Sequence, residues 1–436
     1  MSGNDCFIVL NKIFRPKKKH KLDQVKGYTM KYGNIVENDE IVDEVLVSYF
    51  KAPKSYTTEN MCEINSHGGN VIVKKILELC LKNGAELAEP GEFTKRAFLN
   101  GRIDLLQAES VIDVINAKSE REAKTGMKQL EGILSKQILE IKQKILDVMV
   151  NVEVAIDYPE YDVEEVTNKQ IIDMLIQVED ELKRLEKSFD NGKLIKEGIK
   201  TAIIGKPNAG KSSLLNAILK EDRAIVTEYE GTTRDTIEEF VNINGIPLKL
   251  IDTAGIRQAK DEVEKIGIAK AKEIAQEADL IISIFDSTKE LTSEDIEILE
   301  LSKKKKSIII LNKMDLEPML QENDARLQKA SKHIVKISAL NATGIEKVYD
   351  EITELFQLNE INLDNEIIIT NIRHKNLINK AIQNIKKTKG TIEQKMPLDI
   401  IAIFMKDILE DLGNITGEVV SDDIINEIFS KFCLGK

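Results

Sequence analysis

Apolar residues recur along the chain with two different periods, and the changes of period divide the sequence into parts. Residues 44–50 are a dense run of β-forming side chains, which predicts a strand. Residues 71–81 carry apolar side chains at helical spacing, and Asn83-Gly84 is a typical helix end. We therefore predict that residues 1–98 form a small α/β domain.

The next part, residues 99–197, has the pattern of long amphipathic helices. Residues 105–154 contain no proline and repeat apolar side chains every three or four positions. Pro159 interrupts this pattern. Residues 171–189 then form a second amphipathic stretch, which we predict to end at residues 190–192, Asp-Asn-Gly.

Short buried strands alternate with helices in residues 198–357, which is typical of a mostly parallel sheet covered on both faces. The predicted strands are residues 201–204, 248–251, 280–285, 307–311 and 334–337. The predicted helices after them are residues 377–387, 398–412 and 422–432. We therefore predict a multidomain protein with α/β and all-α parts. Residues 99–197 and 358–436 form one helical domain, and residues 198–357 are inserted into it.

Composition excludes several classes of protein. The 436 residues are 42% hydrophobic and 31% charged, which indicates a globular chain of several domains. The net charge of -12 argues against non-specific nucleic-acid binding, so the basic run at residues 15–21 is a solvated loop or, less favoured, an RNA contact. The cysteines form no CxxC pair, which favours reduced thiols. Without a signal peptide or an apolar run of about 20 residues, we expect a cytoplasmic protein with no membrane span.

Residues 205–212 match the phosphate-loop pattern G-x-x-x-x-G-K-[ST] between a predicted strand and a predicted helix. Glycines let the backbone wrap the phosphates, and amide N–H groups supply positive potential there. We expect Lys211 to reach the β- and γ-phosphates and Ser212 to ligate Mg²⁺. The predicted nucleotide contacts in this loop are Asn208, Ala209, Gly210, Lys211, Ser212 and Ser213.

Three further motifs follow in the order and spacing of a GTPase, and each ends or follows a predicted strand. They are Asp252-Thr253-Ala254-Gly255, Asn312-Lys313-Met314-Asp315 and Ser338-Ala339-Leu340. Asp252 can hold Mg²⁺ through water, and the Gly255 amide can contact the γ-phosphate. Asp315 can accept hydrogen bonds from guanine N1–H and the 2-amino group, which adenine cannot offer. The four motifs together predict GTP binding.

The stretch before Asp252 bears on the hydrolysis step. The predicted nucleotide contacts there are Thr227, Glu228, Tyr229, Glu230, Gly231, Thr232 and Thr233. Thr233 is our predicted Mg²⁺ ligand, closing over the ion when the γ-phosphate is present. Ile256 stands where Ras-like GTPases carry the glutamine that orients the attacking water, so another group must do this. No arginine finger is identifiable, so the missing positive charge comes from a partner or from a bound monovalent cation.

Motifs along nearly the whole chain resemble the MnmE, or TrmE, family of tRNA-modification GTPases. The matching segments are residues 63–69, 90–101, 206–209, 231–235, 252–257 and 432–436. The resemblance implies an N-terminal folate-binding domain that dimerises, a central helical domain, and an inserted P-loop, Ras-like G domain. Family members begin with a further strand, so we expect the first strand of the N-terminal sheet to be missing here.

The resemblance also implies an activity. Family members hydrolyse GTP to GDP and phosphate as homodimers, in a heterotetramer or larger complex with the flavoprotein MnmG (GidA), which uses FAD and NADH. Together they add a carboxymethylaminomethyl or aminomethyl group to C5 of the wobble uridine, U34, of tRNA. The one-carbon unit comes from 5-formyltetrahydrofolate or methylenetetrahydrofolate.

Site residues carried over from the family fall into four groups. Hydrolysis is K⁺-dependent through dimerised G domains, and the implied K⁺ ligands are Asn208, Thr227, Tyr229 and Thr232. Glu264 matches the water-positioning catalytic residue. The implied folate contacts are Glu63, Arg102 and Lys436. Cys433 has an implied catalytic role beside the modification chemistry, and the alternative is an apolar plug on a terminal helix.

Two rival functions share the same nucleotide motifs. A GTPase that acts as a ribosome-assembly or signalling switch would need no folate-binding residues and no terminal Cys-Leu-Gly-Lys. A GTP-gated scaffold would hydrolyse GTP slowly even in potassium. The residues at both ends of the chain therefore favour the modification enzyme.

Overall fold

The computed structural model describes residues 1–18, 27–158, 164–220, 224–225, 239–251, 267–358, 366–433 and 435. The chain divides into two compact units. One unit contains residues 1–113, 127–175 and 383–436, and the other contains residues 114–126 and 176–382. The multidomain fold class predicted from the sequence, with α/β parts and an all-α part, is confirmed.

The elements are numbered here in chain order. The strands are β1 (Phe14–Pro16), β2 (Thr29–Glu37), β3 (Glu40–Phe50), β4 (Met61–Asn65), β5 (Ile199–Ile204), β6 (Ala224–Ile225), β7 (Glu239–Ile243), β8 (Ile246–Leu250), β9 (Leu280–Asp286), β10 (Lys306–Asn312) and β11 (Ile334–Lys336). The helices are α1 (Cys6–Ile13), α2 (Asn70–Lys82), α3 (Glu92–Leu99), α4 (Leu105–Ile115), α5 (Glu120–Leu130), α6 (Ile133–Asp157), α7 (Glu164–Glu197), α8 (Lys211–Lys220), α9 (Gly267–Glu277), α10 (Ser293–Ser302), α11 (Ala325–Ala330), α12 (Ile345–Leu355), α13 (Ile372–Glu393), α14 (Leu398–Thr416) and α15 (Asp422–Ser430). No described helix is both long enough and apolar enough to cross a membrane.

The N-terminal sheet has four antiparallel strands in the order β1-β2-β3-β4. Alternate residues of β3, Val45, Val47 and Tyr49, are buried in one core with residues of α1 and α2. The predicted strand 44–50 and the predicted helix 71–81 are thus confirmed as β3 and α2. One face of the sheet is a core face, as the period of two requires.

The predicted helical region is more broken, and one predicted helix end is wrong. Residues 105–154 form the three helices α4, α5 and most of α6. The end predicted at residues 190–192 does not occur, because α7 continues to Glu197. Gly192 serves close packing instead: a Cβ there would lie 1.9 Å from the carbonyl oxygen of Ile369. The glycine is therefore explained by a neighbouring backbone and not by a helix stop.

The second sheet has seven strands in the order β11-β10-β9-β5-β8-β7-β6. Strands β5, β8, β9, β10 and β11 are parallel to their neighbours in this group, and β7 runs antiparallel to β8 and β6. One face packs on α8 and α12, and the other packs on α9, α10 and α11. The mostly parallel sheet with both faces covered is confirmed. Because parallel strands end at the same edge, the loops after β5, β9 and β10 converge there.

Candidate functional site

The phosphate loop connects β5 to α8, as predicted. Asn208 and Gly210 both have positive φ, at +63° and +106°. A Cβ on Gly210 would lie 2.0 Å from Asn312 Nδ2, so only glycine fits at this point of the loop. The loop is thereby drawn tightly against the end of β10.

Lys211 begins α8 and holds the loop in shape. Its Nζ donates hydrogen bonds to the carbonyl oxygens of Gly205 and Lys206, both at 2.8 Å. The hydroxyl-bearing residues Ser212 and Ser213 follow in the exposed first turn of the helix. The amides at a helix N-terminus favour an anion, so this turn can bind phosphate oxygens. A serine hydroxyl in that exposed turn also fits a Mg²⁺ ion carried by those oxygens.

Asn312 joins the phosphate loop to the predicted base loop. This buried side chain donates from Nδ2 to the Ala209 carbonyl oxygen at 2.8 Å. Its Oδ1 accepts a hydrogen bond from the Ala339 amide at 2.9 Å. One side chain thus fixes the distance between the two loops that the sequence assigned to the phosphates and to the base.

The acidic group of the base loop is held from the neighbouring loop. Ser338 Oγ donates to Asp315 Oδ1 at 2.5 Å, and residues 338 and 343 form an isolated bridge. Leu340 is 82% exposed beside them. The carboxylate is therefore oriented before any ligand binds, as recognition of guanine N–H groups requires.

Sequence reasoning missed Asp286, at the end of β9. Lys313 Nζ lies 2.6 Å from Asp286 Oδ2, and Thr288 donates to Oδ1 through both its amide and its hydroxyl. Burial alone would raise the pKa of Asp286, but hydrogen bonds from Lys313 and Thr288 outweigh it and lower this pKa. The position of Asp286 at the carboxyl end of a central strand was the available signal.

A second missed contact fixes the phosphate loop from the side. Lys206 Nζ donates to Thr292 Oγ1 at 2.8 Å and pairs with Asp295 Oδ2 at 2.8 Å. Thr292 and Asp295 form the capping box at the start of α10. Such a box is visible in the sequence as T-x-x-D, although its contact with the loop is not.

Several predicted site residues lie outside the described residues. They are Thr227, Glu228, Tyr229, Glu230, Gly231, Thr232, Thr233, Asp252, Thr253, Ala254, Gly255, Glu264 and Lys436. Of the predicted K⁺ ligands, the structure therefore describes Asn208, and of the predicted Mg²⁺ ligands, it describes Ser212. The residues that it brings together are those of the phosphate loop and the two base-side motifs.

The predicted folate contacts Glu63 and Arg102 both belong to the N-terminal part of the chain. Glu63 is exposed on β4, opposite Ser48 of β3, which in turn pairs with Met30 of β2. The guanidinium of Arg102 lies 4.6 Å from the centre of the Tyr56 ring and donates to its carbonyl oxygen at 3.1 Å. Within the described chain, no direct contact joins Glu63 to Arg102. A carboxylate on an open sheet face is accessible to a flat ring with N–H donors.

The C-terminal tail is docked on the 90–101 segment. Helix α15 packs against α3, and Phe98, Phe429 and Phe432 share one apolar cluster. The Gly91 amide donates to the carbonyl oxygen of Cys433 at 3.3 Å, and the thiol of Cys433 is free and exposed. The described residues 429–433 therefore lie against the 90–101 segment.

Comparison with known proteins agrees with this arrangement. A family model described as the MnmE helical domain matches residues 105–433, and one described as the GTP-binding protein TrmE N-terminus matches residues 1–102. The tRNA modification GTPase MnmE of Acetivibrio thermocellus is 49% identical over 438 positions, covering 100% of this chain and 95% of the relative. That of Clostridioides difficile is 48% identical over 436 positions, with the same coverage of both proteins.

Among solved structures, the G domain of the T. maritima FeoB iron transporter is 26% identical over 36% of this chain and 98% of its own, with a TM-score of 0.26. Era, in complex with MgGDPNP and nucleotides 1506–1542 of 16S ribosomal RNA, is 27% identical over 43% of this chain and 66% of its own, with a TM-score of 0.28. The predicted combination of an N-terminal domain, a helical domain and an inserted G domain is confirmed. The family matches and the two close relatives extend over essentially the whole sequence, and the chain belongs to the MnmE (TrmE) family of tRNA modification GTPases.

Proposed function

We propose that this chain hydrolyses GTP to GDP and phosphate and uses that reaction to modify the wobble uridine, U34, of tRNA. The observation that carries the proposal is the hydrogen-bonded unit around Asn312, which ties the phosphate loop to the base loop. The unit lies in a chain whose relatives, aligned over 100% of it, are named tRNA modification GTPases. Since the substrate would be tRNA, we place this activity in the cytoplasm.

Different described loops would bind the guanine base and the phosphates. Asp315, oriented by Ser338, accepts the guanine N–H groups. The amides of residues 208–213 and the ammonium of Lys211 hold the phosphates and stabilise the negative charge that develops on them. Asp315 is already oriented by Ser338, whereas the Lys211 ammonium would exchange its hydrogen bonds to the Gly205 and Lys206 carbonyl oxygens for the phosphate oxygens when GTP binds.

Two metal ions are part of the proposal. Ser212, Thr233 and, through water, Asp252 would hold Mg²⁺, and Asn208, Thr227, Tyr229 and Thr232 would hold K⁺. When bound, the two ions supply positive charge to the phosphate oxygens, in place of an arginine finger. Glu264 would orient the attacking water, because Ile256 cannot. An amide oxygen and backbone carbonyl oxygens suit a hard cation such as K⁺.

The N-terminal domain, in the proposal, holds the one-carbon donor, 5-formyltetrahydrofolate or methylenetetrahydrofolate. Glu63 suits the pterin N–H groups, while Arg102 and Lys436 suit the carboxylates of its glutamate tail. The sheet face around Glu63 exposes Met30 by 58%, Tyr32 by 50% and Leu46 by 42%. An exposed apolar face of this kind is typical of a protein–protein interface, and we propose that a second copy of the chain covers it in a homodimer.

The proposed partner is MnmG (GidA), which carries FAD and NADH, in a heterotetramer or larger complex. The product would be a carboxymethylaminomethyl or aminomethyl group at C5 of U34. We propose domain limits of 1–98 for the folate-binding domain, 198–357 for the G domain, and 99–197 with 358–436 for the helical domain. Cys433, docked through Gly91, would act beside the folate.

Deletion of residues 433–436 tests the proposed role of the tail in tRNA modification. Cells that carry the shortened chain should lack the modified wobble nucleoside, while the purified chain binds GTP with unchanged affinity. The reason is that the phosphate loop and Asn312 lie in a separate compact unit from the tail. Full modification by the shortened chain would refute the role of the tail. Loss of GTP binding would refute the independence of the two sites.

The cation proposal has its own test. We expect GTP turnover to be much faster in KCl than in NaCl at equal ionic strength, because the sequence identifies no arginine finger to stabilise the transition state. Asn208→Ala should lower the rate in KCl to that in NaCl, and Asn376→Ala, an exposed position on α13, is the control. Equal turnover in the two salts would favour the scaffold or switch alternatives.

A further inference from the structure

The start of α5, together with Lys118 two residues before it, lies against the hairpin formed by β7 and β8. Lys118 Nζ is 4.0 Å from the centre of the buried Phe240 ring. Arg121 Nη1 donates to the carbonyl oxygen of Leu358 at 3.3 Å. Its aliphatic stem packs on Gly245, at the tip of the hairpin. The two basic residues therefore contact both the base and the tip of one hairpin.

The tip of the hairpin is shaped to receive Arg121. Asn244 and Gly245 have φ of +50° and +82°, the conformations of a tight hairpin turn. A Cβ on Gly245 would lie 2.6 Å from Arg121 Cγ and 2.7 Å from Cδ, so a larger residue would displace the side chain. The Asn244 side chain also donates to Thr353 Oγ1 at 3.0 Å.

The turn that leads into α5 is equally fixed. The Glu122 amide donates to Ser119 Oγ at 3.1 Å, and the Lys118 amide donates to Glu122 Oε2 at 2.7 Å. A Cβ on Gly126 would lie 2.8 Å from Val114 Cγ2, so α4 and α5 are in close contact. Movement of the hairpin would therefore be transmitted to α5 and would not be absorbed by a loose side chain.

The hairpin has a particular place in the sequence. It begins directly after the segment that contains Thr233, and it ends directly before the segment that contains Asp252 and Gly255. These are the groups that the motifs assign to Mg²⁺ and the γ-phosphate. A ligand that binds either segment would therefore act on one end of the hairpin.

From this placement we propose that Lys118 and Arg121 are positioning residues that couple the nucleotide state of the G domain to helix α5. The inference rests on the proposed GTP site and adds to it the route by which the helical part receives the signal. Coupling is reciprocal: if the γ-phosphate changes the α5 contact, the contact must change the preference for GTP over GDP by the same factor.

The test uses the full chain and two guanine nucleotides, GDP and a non-hydrolysable GTP analogue, each with Mg²⁺. The double variant Lys118→Met and Arg121→Met keeps the aliphatic stems and removes both charges. We expect the ratio of the two dissociation constants to change by about fivefold or more, the lower end of typical coupling. Glu120→Gln, an exposed change in the same helical turn, should leave the ratio unchanged.

Hydrogen exchange distinguishes coupling from a purely structural contact, because a structural contact would not make α5 exchange depend on the bound nucleotide. In the unaltered chain, exchange of the α5 amides should differ between GDP and the analogue, and in the double variant this difference should disappear. If α5 exchange in the unaltered chain is the same with both nucleotides, the coupling proposal is wrong, and this result needs no variant. If the unaltered chain binds neither nucleotide, the proposed function itself fails.

Discussion

Replacement of Gly91 by alanine should undock the C-terminal tail. Gly91 has φ of +68°, and a Cβ there would lie 2.9 Å from the Phe429 carbonyl oxygen and 2.9 Å from Phe432 Cβ. The left-handed conformation costs an alanine about 1–2 kcal/mol. Overpacking against backbone and ring atoms costs about 1–3 kcal/mol more. We therefore expect α15 docking to weaken by about 2–5 kcal/mol.

Gly101 provides a matched control for this variant. Its φ is +70°, close to that of Gly91, but a Cβ there would meet nothing within 4 Å. Gly101→Ala should therefore lose only the conformational part, about 1–2 kcal/mol. Hydrogen exchange of the α15 amides, residues 422–430, measures the docking locally, and urea unfolding measures the whole chain. Equal losses in the two variants, or unchanged α15 protection in Gly91→Ala, would show that the contact seen at Gly91 does not hold the tail.

Three further predictions concern the nucleotide site. Asp315→Asn should shift binding from GTP toward xanthosine triphosphate, because an acceptor becomes a donor; competition binding checks this. Asn312→Ala should lower the unfolding free energy by about 1–3 kcal/mol, since the Ala209 carbonyl and the Ala339 amide lose their partner; calorimetry checks this. The lowered pKa of Asp286 means that it stabilises the fold above its ordinary pKa and that this stabilisation is lost as pH falls through the lowered value. An acid titration of unfolding should thus show a smaller loss in Asp286→Asn.

The strands of the parallel sheet were predictable because each one is rich in apolar residues, and β9 and β10 are buried over most of their length. Strand β7 was missed, since polar Glu239 and Asn242 interrupt its apolar residues and it lies near the edge of the sheet. The signal was nevertheless present: Asn244-Gly245 is a strong sequence mark of a two-residue hairpin turn. Reading this turn would have predicted both β7 and its antiparallel pairing with β8.

The helical boundaries show a different limit of sequence reasoning. The break before α5 is written in the sequence as Ser119 followed by Glu122, the spacing of a capping box, and the Ser119 hydroxyl does accept the Glu122 amide. For the helix end wrongly predicted at Gly192, the sequence contains no comparable signal. In the sequence, a glycine that is required because another backbone segment lies close to it, here at Ile369, looks the same as a glycine that ends a helix. Only the tertiary contact distinguishes these two uses.

The site residues themselves were predictable from motifs, because phosphate and guanine recognition demand particular backbone shapes and acceptors. Their supports were not. Lys206 pairs with Asp295, 89 positions further along the chain. Lys313 pairs with Asp286, 27 positions before it. Such ion pairs depend on which strand ends meet at the sheet edge, and strand order cannot be read from any single motif.

Gly91 and Gly245 make close contacts that the GTPase motifs do not predict. Each accepts a neighbouring group at a distance that excludes a Cβ: Phe429 and Phe432 of the tail at Gly91, and the stem of Arg121 at Gly245. Neither glycine belongs to the phosphate or base loops. Since the two contacts lie in different compact units, one should set the position of Cys433 and the other the response of α5. The absence of a side chain thus permits the contact of the tail at Gly91 and the contact of Arg121 at Gly245.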